Sequence, residues 1–329
     1  MTRAVALLLL AAAGLLALFA ACLIGSTPLP VERVLAALAG AGTGGDRVVV
    51  WEIRLPRAVA AFVVGATLAT CGAALQGLLR NPLAEPGVLG VSATASLGAT
   101  CVLYYGLAGV SPYLLPVAAI AGALAATALL AVAAVRIGSV VTLILIGVAL
   151  SSFAAAVMAL LMNLAPNPFT LAEMLNWMLG SVANRSFEDL AVAAPFLLAG
   201  AALLLSTRRS LSALTLGEEA AAGLGVDLAR TRLAVVLGAG LATGAAVSIA
   251  GAIGFVGIVA PHLVRPLVRH DPSRTLLPAA LLGGLILVLA DIGVRTVPTA
   301  AELNLGVVAA LVGAPAFAWI AARRRGGDG

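Results

Sequence analysis

Few side chains here could carry chemistry, and their types narrow it. The chain has two histidines, His262 and His270, three cysteines, Cys22, Cys71 and Cys101, and no lysine at all. A phosphate-binding loop of the GxxxxGK[ST] type needs its lysine, so ATP hydrolysis by that route is excluded. Schiff-base chemistry is excluded for the same reason. The cysteines form no CxxC pair and sit inside apolar runs, where they read as small buried hydrophobes. Two histidines are too few for a His-rich metal site, and no catalytic metal is expected. What remains are charges at the ends of apolar runs: Arg54-Leu55-Pro56-Arg57, Asp291 with Arg295, and Glu218-Glu219 between Gly217 and Gly225. Such groups suit docking and mechanical coupling rather than bond making. Asp291 lies one helical turn before Arg295, which favours an internal pair over substrate contact.

The elements that must hold these charges are apolar. Of 329 residues, 62% are hydrophobic and only 10% charged, with mean hydropathy +1.13. A soluble domain of this length needs far more charge. Apolar runs of about 20 residues match the roughly 30 Å hydrocarbon core of a bilayer. No alternating strand pattern is present, so the spans are helices. They fall near 4–24, 58–79, 87–109, 114–135, 139–164, 189–206, 233–260, 276–297 and 305–322. The first run carries Leu18-Phe19-Ala20-Ala21-Cys22, which resembles a lipoprotein cleavage box, but so many further spans favour a retained helix. The 233–260 run is long for one span and contains Gly251, Gly254 and Gly257, so a turn there gives ten spans. Ten spans from a cytoplasmic N-terminus place 13 arginines inside and six outside, as the positive-inside rule expects. Both termini are then cytoplasmic. The net charge of +5 reflects these span-end arginines, so no nucleic acid is expected as a partner. Polar interruptions stand outside at 165–188 and inside at 207–232.

Further motifs run in order along the chain. Gly72-Ala73-Ala74-Leu75-Gln76-Gly77 precedes Asn81-Pro82-Leu83-Ala84-Glu85-Pro86-Gly87 and Leu89-Gly90-Val91-Ser92. Leu216-Gly217-Glu218-Glu219-Ala220, Leu224-Gly225-Val226 and Gly251-Ala252-Ile253-Gly254-Phe255-Val256-Gly257 follow, the last leading into Pro261-His262-Leu263-Val264-Arg265. Glu302-Leu303 and Gly313-Ala314-Pro315 with Phe317 close the series. At this order and spacing the chain resembles the FecCD-type permeases of ABC importers, which carry iron–siderophores, haem or cobalamin.

The resemblance implies an all-α, polytopic membrane protein of the bacterial inner membrane. It forms a single domain over 1–329, with ten transmembrane helices per subunit. Two permeases form a dimer around a central translocation pathway, as a homodimer or a heterodimer. Two cytoplasmic ATPase subunits would bind ATP and magnesium, this chain itself holding no cofactor, and a periplasmic substrate-binding protein would deliver a metal chelate. The 207–232 loop would form two short coupling helices seated on the ATPase. Leu216, Ala220 and Leu224 would face the partner and Glu218 and Glu219 water, with Gly217 and Gly225 as tight turns. Arg54, Arg57 and Arg295 would meet acidic groups of the binding protein. Asn81 and Leu83, with Val140 and Val141, would form the cytoplasmic gate, more apolar than the small polar residues common in relatives. Ser151, Ser152, Met158, Met162 and Trp177 would line the pathway.

Two other classes compete. An ion-coupled secondary transporter needs an intramembrane charge and usually an inverted repeat; only Asp291 is a candidate, and no repeat is evident. A membrane enzyme needs convergent acid–base or metal residues, which the scarcity of histidine and buried carboxylates opposes.

Overall fold

A computed structural model describes residues 3–25, 28–137, 139–297 and 302–325, with side chains between Ala4 and Pro315. The side chains of Arg3 and Arg323-Arg324-Arg325, on which the topology expectation leans, and that of Phe317 lie outside the described residues. All regular elements among the described residues are helical. In chain order they are α1 (Arg3–Leu23), α2 (Val31–Leu38), α3 (Gly44–Arg47), α4 (Leu55–Leu78), α5 (Val91–Tyr104), α6 (Leu114–Arg136), α7 (Val140–Asn163), α8 (Pro168–Leu179), α9 (Phe187–Ser206), α10 (Arg208–Ala213), α11 (Glu218–Gly223), α12 (Leu228–Ala250), α13 (Val256–Val264), α14 (Pro272–Thr296) and α15 (Leu305–Arg325).

Seven helices among the described residues are long and apolar enough to cross a bilayer. Three shorter apolar helices, Val91–Tyr104, Val256–Val268 and Leu305–Pro315, accompany them. The 233–260 run does divide: α12 stops at Ala250, and α13 begins only at Val256. Gly251 (φ +68°) and Phe255 (φ +67°) are both left-handed there, which ends one helix before the next starts. Other boundaries differ from expectation. The expected 58–79 span is the end of an unbroken 35-residue helical run, Gly44–Leu78, joined through a π-helical stretch at Val48–Arg54. The expected 87–109 span shrinks to α5. Pro82 and Pro86 lack the N–H a continuing helix needs, so the chain passes through a 3₁₀ turn at Pro86–Leu89 first. The 165–188 interruption contains α8, started by Asn167, whose side chain accepts from Thr170 N at 2.9 Å.

The core forms around α12, which packs on α4, α6 and α9. Its residues are mostly Gly, Ala, Val and Thr, and small side chains let backbones approach when lipid supplies no hydrophobic drive. The same logic joins α4 to α14. Gly65 and Gly283 face each other so closely that a Cβ on either would run into the other's carbonyl oxygen. By contrast α1, α7 and α9 are largely exposed along their apolar lengths, as lipid-facing helices are.

Candidate functional site

At one end of the bundle, charges gather around the last turn of α1. A helix C-terminus leaves its final carbonyls without intrahelical partners. Arg54 donates from Nη1 to the carbonyl oxygens of Cys22 (2.8 Å) and Leu23 (3.0 Å). Arg295 donates from Nη1 to those of Ala21 (3.1 Å) and Ile24 (3.2 Å). Two cations from different helices thus satisfy four consecutive carbonyls, where the helix dipole also favours positive charge. Arg54 is only 4% exposed. The sequence expectation placed it at the rim as a docking charge; here its guanidinium is buried and bonds the end of α1.

Asp291 sits between two arginines. Arg57 reaches it from α4 with Nη2 to Oδ1 at 2.7 Å and Nε to Oδ1 at 3.0 Å, and Arg295 pairs with Oδ2 at 2.7 Å. The expected i,i+4 pair is present, and a second partner joins it. Arg57 also pairs with Glu302, just before α15. The four charges balance. Asp291 is closed to solvent and the Arg57 side chain 11% exposed, while Glu302 is 41% exposed and forms the solvent edge. The cluster ties α4, α14 and the start of α15 together.

Beside it opens a cavity of about 930 Å³, between the start of α6, the α8 helix and the 181–189 segment. Gly180 makes its floor possible. Ser181 N donates to Ala250 O (2.8 Å) and Gly306 N to Gly180 O (3.1 Å), so the broken ends of α8, α12 and α15 meet. Ser186 and Asp189 form a capping box that starts α9. Arg185 lies over the Trp177 ring, 5.4 Å from its centroid. Burial lowers the affinity of this guanidinium for its proton, with Asp189 opposing.

The 207–232 loop holds the two short helices α10 and α11. Gly217 (φ +105°) and Gly225 (φ +85°) bracket α11, and both turns need glycine. Leu216 and Leu224 are 66% and 67% exposed, and Ala220 is exposed beside them. Glu219 faces solvent, whereas Glu218 turns back to Arg232 at 2.7 Å. Asp271 anchors this region to α14, accepting from Ser273 N (2.9 Å) and Ser212 Oγ (3.1 Å). Burial tends to raise its pKa, but the Ser273 and Ser212 hydrogen bonds and nearby Arg274 outweigh that and hold it below the usual carboxylate value.

Asn81 and Leu83 share one turn, Asn81 Oδ1 accepting from Leu83 N at 3.0 Å. Val140 and Val141 open α7 behind Ser139, whose side chain accepts from Thr142 N; Val140 is half-buried and Val141 66% exposed. Among the expected pathway residues, Ser152 is exposed, and Ser151 donates to Gly87 O at 3.3 Å. Met162 packs near Met174 and Trp177. Met158 is 5% exposed and packs within this chain. Sequence reasoning missed Glu85, whose Oε2 accepts from Phe255 N at 3.1 Å and closes the break before α13. Its signal was an acid between two helix-breaking prolines.

A profile of the FecCD transport family matches residues 9–323. The chain belongs to the FecCD transport family. It is a transmembrane ABC permease of that family. FecCD relatives include the uncharacterized ABC transporter permease protein YvrB of Bacillus subtilis, 40% identical over 92% of this chain and 89% of that one. The cobalamin import system permease protein BtuC of Halobacterium salinarum is 41% identical over 83% of this chain and 73% of its own. The hemin transport system permease protein HmuU of Yersinia pestis is 38% identical over 84% of each. A solved structure described as an inward-facing conformation of a metal-chelate type ABC transporter superposes with a TM-score of 0.87 at 31% identity, covering 96% of this chain and 98% of that one.

Proposed function

We propose that this chain is the membrane half of an ATP-driven importer of a metal chelate in the bacterial inner membrane. Two copies surround the pathway, two ATPase chains bind on the cytoplasmic side, and a soluble binding protein delivers the chelate outside. Both termini are cytoplasmic. The observation that carries this reading is the α10–α11 pair. Leu216 and Leu224, each just before one of the glycine turns that flank α11, stand bare, where a soluble chain would bury them. ATP-driven motion of the partner pushes on this pair and reorients the bundle. At the inner mouth Asn81 and Leu83 face Val140 and Val141 as gate. Ser151, Ser152, Met162 and Trp177 contribute to the path between the copies. On the outer face Arg57 and Arg295 lie near the docking rim with Glu302 at its solvent edge, and Arg54 stands behind them against α1. An ion-coupled mechanism is less supported, because Asp291 is neutralised by two arginines and Glu85 is engaged by a backbone N–H.

The test is co-expression with the ATPase chain. The expected result is a complex with two copies of each, and no ATPase activity from this chain alone. Gly217→Trp with Gly225→Trp strains both turns and blocks close approach, so the complex is lost. Normal assembly and hydrolysis in that double variant would remove the coupling assignment.

A further inference from the structure

At the end of the bundle opposite the Arg57–Asp291 cluster, a cavity of about 260 Å³ opens where α4 stops and α14 starts. Arg80, Arg265 and His270 line it, with Gln76, Thr215 and Thr275, and no carboxylate does so among the described residues. Arg265 is held at the wall. Its Nη2 donates to Gln76 Oε1 (2.6 Å), and Gln76 Nε2 donates to Gly257 O (3.2 Å). The two hydroxyls are turned away, Thr215 onto Ser212 O and Thr275 onto Asp271 O. The side chains of Arg80 and His270 have no hydrogen bond or ion pair among the described residues. Asp271, next to His270, is already taken up by Ser273 N, Ser212 Oγ and Arg274. Arg80 (φ +49°) and His270 (φ +60°) both hold left-handed backbone, where glycine is the ordinary choice. Positive charge at the end of α4 suits the helix dipole, which accounts for Arg80 alone. Three basic side chains around a hollow that no acid faces fit an oxyanion, for which guanidinium groups are the matched donors.

The surface beside the cavity indicates what carries that oxyanion. An apolar groove of about 210 Å³ runs between α4, α9, α12 and α14, lined by Thr70, Leu197, Ala201, Leu205, Leu277 and Ala280. Leu205 and Leu277 are exposed along it, and Thr70 Oγ1 donates back to Ala66 O (2.7 Å), so the groove offers almost nothing polar. It lies deeper than the cavity on the same two helices: Thr70 comes one turn before Ala73 on α4, and Leu276 follows Thr275 on α14. At 1.5 Å per residue, Thr70 is about 12 Å along the axis from the end of α4 at Leu78. That is less than half of the roughly 30 Å hydrocarbon core. Cavity and groove thus sit at the depths of a headgroup and an acyl chain in one leaflet. A free phosphate would use the cavity and leave the groove without purpose, whereas a phospholipid uses both.

We infer that the two form one binding site for an anionic phospholipid, with its phosphate among Arg80, Arg265 and His270 and an acyl chain along α4 and α14. The basic lining selects a lipid of net negative charge over a zwitterionic one, whose cationic head would meet guanidinium groups. Thr215 belongs to the segment joining α10 to α11, so the bound lipid also braces that pair against the bundle.

The experiment is native mass spectrometry of the full chain in detergent, titrated with phosphatidylglycerol or phosphatidylcholine of equal chain length. Phosphatidylglycerol is expected to saturate at one copy per chain and to bind about tenfold or more tighter than phosphatidylcholine, as charge-assisted hydrogen bonds allow. Arg80→Gln with His270→Gln removes that preference and leaves phosphatidylcholine binding unaltered, which a general loss of fold would not do. Arg230→Gln, at an exposed arginine that starts α12 and pairs with Asp227, leaves the preference intact. Ala201→Phe fills the groove and weakens both lipids. Excess inorganic phosphate leaves phosphatidylglycerol bound, because phosphate gains nothing from the groove. Equal binding of the two lipids, a preference that survives Arg80→Gln with His270→Gln, the same loss in Arg230→Gln, unaltered binding in Ala201→Phe, or displacement by phosphate would each overturn the site. The importer reading does not depend on these outcomes and keeps its own test in assembly with the ATPase chain.

Discussion

Arg54→Met is the sharpest perturbation of the charge cluster at the end of α1. The substitution keeps much of the apolar stem but strips the Cys22 and Leu23 carbonyls of their donor. Each hydrogen bond from a charged group is worth about 1.5–3 kcal/mol, so two give about 3–6 kcal/mol gross. Removing a guanidinium that is 4% exposed returns part of this, because its burial carries a desolvation penalty of several kcal/mol before pairing. A net loss of about 2–4 kcal/mol in the local stability of the last α1 turn is expected. Cys22 reports on that turn, being buried at 1% exposure. In a Cys71→Ala, Cys101→Ala background, the rate of maleimide labelling at Cys22 tracks local opening. It should rise about 30- to 700-fold, since each 1.4 kcal/mol is a factor of ten. Arg33→Met, which breaks a half-exposed pair with Asp46 elsewhere, should leave the rate unaltered. Labelling within threefold of the parent, or an equal rise with Arg33→Met, would refute the view that Arg54 caps α1.

Asp291→Ala leaves two buried arginines facing each other, and should destabilise the protein by about 3–5 kcal/mol in thermal unfolding in detergent; Glu302→Ala, at the exposed edge, should cost at most about 1 kcal/mol. Gly65→Leu should prevent α4 from seating on α14 and abolish folded, monodisperse protein in size-exclusion chromatography, whereas the same change at Gly44, where a Cβ meets nothing within 4 Å, should be tolerated. Asp271 has a depressed folded pKa, so its contribution is fully present above its ordinary value of 3.8 and is lost as pH falls through the lower folded value. Hydrogen exchange at 210–216, corrected for intrinsic rate, should accelerate below that point in the parent but show no such step in Asp271→Asn.

The hydropathy of the chain determined most of the architecture. Apolar runs long enough to cross a bilayer must be helical, because lipid offers no partner for backbone groups. The Gly251–Gly257 break was legible too, since glycines interrupted a run too long for one span. So was the Asp291–Arg295 pair, which depends only on local spacing. The exposed leucines of the 207–232 loop were legible because glycine turns set their geometry locally. The use of Arg54 was not. Whether an arginine at a span end meets water, lipid headgroups or a helix terminus depends on which helix packs beside it, and the α1 carbonyls that Arg54 meets are 31 and 32 residues away in sequence. Arg57 reaching Asp291, Glu85 reaching Phe255 and Arg185 covering Trp177 are of the same kind. Polar groups in a bundle bond to whatever neighbour packing supplies. Charge and span were therefore readable in one dimension, while partners were decided only when α1, α4, α12 and α14 closed on one another.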